Sequence, residues 1–156
     1  MPSKIVIRPI GIVRNGVTEK RKEGWEDVIS EIVVEESLTD CLDGLEEFSH
    51  IIVICWMHKV ALGRQFVAKI HPRGREDLPL VGLFATRGPE RPNSLSVTTT
   101  RLLERHGNVL KVVGLDAFDG TPVIDIKPYM PGYDSPAEAW EADWVKKLRK
   151  PDSSAT

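Results

Sequence analysis

Cysteine is scarce: Cys41 and Cys55 are the only two in 156 residues, too few for the disulfide framework on which small secreted domains rely. Both are read as reduced, and Cys55 as a small core hydrophobe, because it lies inside the apolar run Ile51-Ile52-Val53-Ile54-Cys55-Trp56. Long apolar runs are missing too. No stretch nears the roughly 18 residues of a membrane span, and Met1-Pro2-Ser3-Lys4 leads straight into an alternating pattern with no apolar signal region. The expectation is a soluble, cytoplasmic protein with no membrane partner. There is no Cys/His cluster at zinc spacing, no Gly-Lys-Ser/Thr phosphate loop and no Gly-x-Gly-x-x-Gly turn, which removes the common sequence-readable metal and nucleotide sites, so no metal is expected. An excess of one charge is lacking as well: 21 Lys and Arg stand against 23 Asp and Glu, a net charge of −2 that by itself points to no polyanion.

With 41% hydrophobic and 28% charged residues, the chain fits one domain over residues 1–150, followed by a short polar tail, 151–156, expected to be disordered. Most apolar segments alternate or run for five to eight residues between Gly, Pro, Asn or Asp, the pattern of strands. Strands are predicted at Ile5–Val13, Val28–Val34, Ile51–Met57, Phe66–Ile70, Val81–Ala85, Leu95–Leu103, Val109–Leu115 and Pro122–Lys127. Arg105-His106-Gly107-Asn108 reads as a hairpin in which Gly107 and Asn108 take positive φ. Thr39–Leu45 reads as a helical turn capped by Thr39 and ended by Gly44. One longer helix is predicted after Ser135-Pro136, with Ala137, Trp140, Trp144 and Leu148 forming an apolar stripe. The fold expected is a mainly β, small closed barrel of about eight strands with a C-terminal helix.

Near-neutrality conceals a segregation of charge. Residues 19–47 hold eleven acids against Lys20, Arg21 and Lys22, a local balance of −8, whereas residues 59–111 hold ten bases against four acids, a balance of +6. A basic half of this kind is the footprint of a polyanion such as RNA, and also of solvated strand faces. Within it, Thr86-Arg87-Gly88-Pro89-Glu90-Arg91-Pro92-Asn93 is a loop stiffened by two prolines that carries two arginines and an asparagine directly after an apolar strand, the composition of a binding loop, and also of an ordinary connection in which Arg87 and Arg91 pair with neighbouring acids. Asp119-Gly120-Thr121-Pro122 is a tight turn reopening a strand. In that strand the side chains of Asp125, Lys127 and Tyr129 alternate onto one side, with Ile124 and Ile126 on the other; Asp125 and Lys127 alone read as a surface cross-strand pair, whereas Pro128 and Pro131 flanking Tyr129 point to a fixed, non-repetitive structure. His58 stands where an apolar strand surfaces into the basic stretch.

Val81-Gly82-Leu83-Phe84-Ala85-Thr86-Arg87-Gly88-Pro89-Glu90-Arg91-Pro92-Asn93, then Gly114-Leu115-Asp116, Asp119-Gly120-Thr121-Pro122, Asp125-Ile126-Lys127-Pro128-Tyr129 and Asp134-Ser135, closely resemble the TsaA-like (TrmO) tRNA methyltransferase family. Ile10-Gly11-Ile12-Val13 and the stretch Leu42 to His50 are similar to it as well. The resemblance implies a dimeric β-barrel that binds S-adenosyl-L-methionine and methylates N6 of threonylcarbamoyladenosine at position 37 of a threonine tRNA. It also implies cofactor contacts at Lys22, Glu23, Gly24, His58, Lys59, Arg87, Val97 and Asp119, Gly120, Thr121 and Pro122. The chain departs from the family pattern at Gly88, where Ser is usual, and at Ser94-Leu95-Ser96, where Pro-Ile-Gly is usual.

An exocyclic adenine amine is a poor nucleophile, so transfer to it needs alignment plus a group to accept its proton. Asp125 is the first candidate acceptor and Asp119 the second. Tyr129 is the candidate to stack on or hydrogen-bond the base, and Lys127 to hold a phosphate or the threonyl carboxylate. Arg87 and Arg91 suit a carboxylate on cofactor or substrate, with Asn93 beside them in the substrate loop. The alternatives are a non-catalytic RNA- or nucleotide-binding barrel and a methyltransferase with another substrate. A barrel of this size has little surface with which to grip a whole tRNA, which favours a homodimer.

Overall fold

A computed structural model describes residues 3–21, 23–60 and 65–150. Segments rich in β-branched residues form eight strands: β1 (Gly11–Arg14), β2 (Ile29–Val34), β3 (His50–Trp56), β4 (Lys69–Ile70), β5 (Val81–Gly82), β6 (Leu95–His106), β7 (Val109–Val113) and β8 (Pro122–Pro128). The chain divides into two compact units, Met1–Val60 with Ser94–Tyr129, and Ala61–Asn93 with Met130–Thr156.

The first unit is a closed barrel of six strands in the order β1-β2-β7-β6-β3-β8, with β8 pairing back onto β1. Every pairing is antiparallel. Alternate residues turn inward, so Ile51, Val53 and Cys55 of β3 meet Ile32 and Val34 of β2, Leu110 and Val112 of β7, Val13 and Val123 in one core. A six-stranded barrel has an interior that side chains fill without a channel. Two of the buried hydroxyls find partners across the chain: Thr100 Oγ1 donates to the Val113 carbonyl at 2.6 Å, and Ser30 Oγ accepts from Asn15 Nδ2 at 3.0 Å.

Among the described residues eight strands form, as the sequence predicts, but six of them close the barrel; β4 and β5 make a separate pair in the second unit. Several boundaries differ for physical reasons. The predicted strand Ile5–Val13 yields only Gly11–Arg14, because Pro9 has no N–H to give to a ladder, and Ile5, Val6 and Ile7 remain exposed. Phe66–Ile70 shortens to β4, and Val81–Ala85 to β5 followed by a 3-10 turn over Leu83–Ala85. A bulge where Ile54 and Cys55 face Asp125 and Val123 leaves Ile124 unpaired. The inward set in β8 is therefore Val123 and Ile126, not Ile124 with Ile126. In the β6–β7 hairpin Gly107 alone has positive φ, 59°; Asn108 instead donates its amide to the Val34 carbonyl at 2.6 Å. Thr39 is not a cap: it lies inside the 3-10 helix Glu36–Leu42, its hydroxyl donating to Glu36, and Gly44 (φ 86°) starts the next turn, Leu45–Glu47.

In the second unit the C-terminal helix α1 spans only Asp143–Leu148. Ser135 does not cap it, and Trp140, expected in the apolar stripe, is 92% exposed. Short helices are marginal without a face to bury, and residues 131–143 are exposed throughout. The support for α1 is local: Arg75 Nη1 donates to the Lys147 and Lys150 carbonyls at 3.2 and 3.3 Å, while its other donors grip Asp77. The predicted tail, 151–156, lies outside the described residues. Among the described residues no helix is long and apolar enough to cross a membrane.

Cys55 is 1% exposed and burial pushes its thiol up to about 12, whereas Cys41 is exposed. A thiol reagent at pH 8 is expected to label one cysteine per native chain and two in denaturant; fast labelling of both in the native state would contradict this core. Leu110→Ala is expected to cost about 2–5 kcal/mol in denaturant unfolding, and Leu103→Ala, at a bulge with its side chain outside, less than about 1 kcal/mol.

Candidate cofactor and active site

Two loops at one end of the barrel are knitted into a single piece. The Asn15 and Gly16 amides both donate to Asp119 Oδ1, at 2.8 and 3.0 Å. The Asn15 side chain ties the same loops together, with Nδ2 donating to Ser30 Oγ and to the Ala117 carbonyl, and Oδ1 accepting from the Val17 amide. In return the Asp119 amide donates to Val17 and the Gly120 amide to Val13, each at 2.8 Å. Gly120 has φ 79°, a left-handed conformation that suits glycine. The amides of Gly16 and then Asn15, aided by the charges of Arg14 and Lys59, hold the Asp119 carboxyl below the usual carboxylate range.

Aromatic and cationic groups gather on these loops. The Trp25 ring meets Phe118 edge-on at 5.9 Å, the Arg21 guanidinium lies 5.9 Å from the Trp25 centroid, and Lys59 Nζ lies 4.6 Å from the Phe118 centroid while donating to the Thr18 carbonyl. Gly24 (φ 80°) turns the chain into the 3-10 turn that carries Trp25. The segments holding Glu23 and Gly24, Lys59, and Asp119 to Pro122 are thus brought together. Lys22 lies outside the described residues. His58 is exposed, its amide donating to the Trp56 carbonyl.

A second set lies on the outer face of β6, β3 and β8. The register pairs Ile54 with Val97 on one side and with Asp125 on the other, so Val97, Ile54 and Asp125 form one lateral row. With strands about 4.8 Å apart, Val97 and Asp125 stand roughly 10 Å apart across it. The next row is Thr99, Ile52 and Lys127. Asp125 is held at both oxygens, Oδ2 at 2.8 Å from Lys127 Nζ and Oδ1 accepting from the Ile126 amide at 2.9 Å; this partner raises the Lys127 ammonium pKa. Tyr129 is half-buried and meets His50 edge-on at 6.3 Å. Because β1 pairs with β8 only at Pro122 and Val123, the seam opens beyond them into a cavity of about 570 Å³ lined by Ile10, Leu38, Phe48 and Ile126, with Asp125 in its wall.

The remaining predicted residues belong to the second unit. Arg91 Nη1 donates to the Thr86 and Gly88 carbonyls at 2.9 and 3.2 Å, and Arg87 and Asn93 are exposed. Among the described residues no group of three or more His, Cys, Asp or Glu is placed to hold a metal ion.

The family model for the tRNA-methyltransferase O N-terminal domain matches residues 16–135. The chain belongs to this family. A probable S-adenosyl-L-methionine-binding protein of Methanothermobacter thermautotrophicus is 43% identical over 136 residues, 85% of this chain and 95% of that protein. The mouse tRNA (adenine(37)-N6)-methyltransferase is 43% identical over 95 residues, 61% of this chain but 22% of that enzyme. A crystal structure of TrmO from Pseudomonas aeruginosa superposes with a TM-score of 0.73 at 26% identity, covering 92% of this chain. The chain spans 63% of that TrmO chain.

As a TrmO-family domain, the chain presents residues that sequence reasoning missed. Asn15, Trp25 and Phe118 build the loop cluster, and Ile54 links Val97 to Asp125. Phe118 had a signal, an aromatic held between Asp116 and the Asp119-Gly120 turn; Asn15 had none, since its role needs partners about a hundred residues away.

Because ionised Asp119 is the form that the two amides hold, its contribution to stability is fully present above the ordinary carboxylate pKa of about 3.9 and is lost as pH falls through the lower native value. The melting temperature of Asp119→Asn is expected to trail the unsubstituted protein at pH 6, with the gap closing as pH drops toward 3. A gap that does not vary with pH would remove the carboxylate from this role.

Proposed function

We propose that this chain is an S-adenosyl-L-methionine-dependent tRNA methyltransferase that methylates N6 of threonylcarbamoyladenosine at position 37. The observation that supports the reading is the row Val97, Ile54 and Asp125, in which Val97, a cofactor contact by the family resemblance, shares one face of the barrel with a fixed carboxylate. The names of the related proteins, an S-adenosyl-L-methionine-binding protein and tRNA (adenine(37)-N6)-methyltransferases, support the same reaction class.

The loop cluster fits an adenosyl-amino-acid ligand in its chemistry. Trp25 and Phe118 offer aromatic surface, and Lys59 directs one donor to Thr18 and keeps others for a carboxylate. When bound, the cofactor supplies a methyl group activated by its sulfonium. Glu23, Gly24, His58, Lys59, Val97 and the turn from Asp119 to Pro122 would hold it, with Asp119 acting through its grip on residues 15–16. Arg87 and Arg91 suit the anionic groups of cofactor or substrate.

Asp125 is the proton acceptor in this proposal. Lys127 fixes the carboxylate on one side and the Ile126 amide on the other, leaving oxygen lone pairs for the amine that is to be deprotonated. Tyr129 and Asn93 are read as contacts to the RNA. Residues 1–150 act as one cytoplasmic methyltransferase domain working as a homodimer, a reading supported by apolar side chains such as Ile29 and Leu103 on the outside of the barrel.

Asp125→Asn is expected to lower kcat by about a hundredfold or more while calorimetry against S-adenosyl-L-methionine returns a dissociation constant within about twofold of the unsubstituted protein. Near-normal turnover with unchanged cofactor affinity would overturn the assignment of Asp125, and an absence of saturable heat would overturn cofactor binding itself.

A further inference from the structure

Phe84 is 77% exposed on a loop whose backbone is tied down at several points. Leu83, buried beside it, donates its amide to the Ala68 carbonyl at 2.9 Å and seats the 3-10 turn Leu83–Ala85. Thr86 closes that turn twice, through its amide and its hydroxyl, both donating to the Leu83 carbonyl at 3.1 and 2.7 Å. The Gly88 amide then donates to Thr86 Oγ1 at 3.3 Å, and Gly88 itself is packed so closely that a Cβ would stand 3.3 Å from Ile70 Cδ1. Pro89 and Pro92 restrict the backbone on the C-terminal side of Gly88. A ring displayed by so fixed a loop stays exposed because the backbone leaves it no route to burial.

Arg91 completes the arrangement. Its Nη1 donates to the Thr86 and Gly88 carbonyls, and its guanidinium carbon lies 5.6 Å from the Phe84 centroid. Two of its five N–H donors are thereby engaged, and the charge and the remaining donors stay available. A flat apolar ring beside a fixed guanidinium is the surface on which unpaired bases stack: the ring covers the base, and the cation favours both π-faces and the nearby phosphates. The occupant should be anionic as well as flat, because the segment of the second unit that holds Phe84, residues 65–93, carries five bases against three acids. The buried centre of an interface between proteins is depleted of charge, whereas Phe84 has Arg87, Glu90 and Arg91 within seven residues of it.

We propose that Phe84 and Arg91 form a stacking platform for an unpaired nucleobase of the RNA substrate. The platform rests on the reading that RNA is the substrate, and it assigns that substrate a contact on residues of the second unit.

The test measures binding of total tRNA and of an end-labelled single-stranded oligoadenylate to the whole protein at fixed salt, with S-adenosyl-L-methionine calorimetry and light scattering on the same preparations. Phe84→Leu keeps an exposed apolar side chain and removes the ring; it is expected to weaken both RNA probes by roughly tenfold, while Phe84→Tyr stays within about twofold. Equal affinity for Phe84→Leu and the unsubstituted protein would overturn the platform, as would a failure of the unsubstituted protein to bind either probe. A change in mass with Phe84→Leu and no change in RNA affinity would also overturn it, assigning Phe84 to an interface between copies of the chain. RNA binding that depends on the ring, in a protein giving no heat with S-adenosyl-L-methionine, would uphold the platform and reject the methyltransferase reading.

Discussion

The barrel depends on the four residues of β1, which pair with β2 along their whole length and with the first two residues of β8, and so supply the closing seam. At its start the backbone of β1 approaches β2 so closely that a Cβ on Gly11 would sit 2.5 Å from the Val33 carbonyl oxygen. No side chain fits there, and the neighbouring strand cannot yield without breaking its own pairing with β7. The far end of β1 runs directly into Asn15, whose amide and side chain tie together the loops at that end of the barrel. One short strand therefore both closes the core and delivers the anchor of the loop cluster.

The seam is also where regularity ends. Pairing of β1 with β8 stops at Val123, and the bulge at Ile124 comes immediately after it. That extra residue turns Val123 and Ile126 inward and leaves Asp125 and Lys127 on the outside as an ion pair. A bulge is a recurring device for aiming a side chain out of an otherwise repetitive sheet. Here it places Asp125 in the same row as Val97.

Much of this was legible from residues alone, for particular reasons. The run Ile51 to Trp56 and the alternation from Val109 to Val113 name core strands because burial demands their pattern. The Asp119-Gly120 turn and the rigid Arg87 to Asn93 loop were visible because glycine and proline mark backbone constraint. The bulge was hidden, since nothing in Val123-Ile124-Asp125 shows which residue drops out of register until β3 is beside it. The helix was overread because Ala137, Trp140 and Trp144 have helical spacing, and spacing does not reveal that Trp140 finds nothing to pack against. Asn15 was invisible for the same reason as the bulge: its meaning lies in partners distant in sequence.

A preorganised loop cluster, a fixed carboxylate on the outer face of the barrel and a basic stretch converge on one claim, methyl transfer to adenosine 37 of tRNA. The most direct measurement incubates the protein with methyl-labelled S-adenosyl-L-methionine and total tRNA, digests the RNA to nucleosides and separates them. Label is expected in a single species, the N6-methylated form of threonylcarbamoyladenosine. Label confined to another nucleoside, or none in RNA from a preparation that binds both cofactor and tRNA, would contradict the claim.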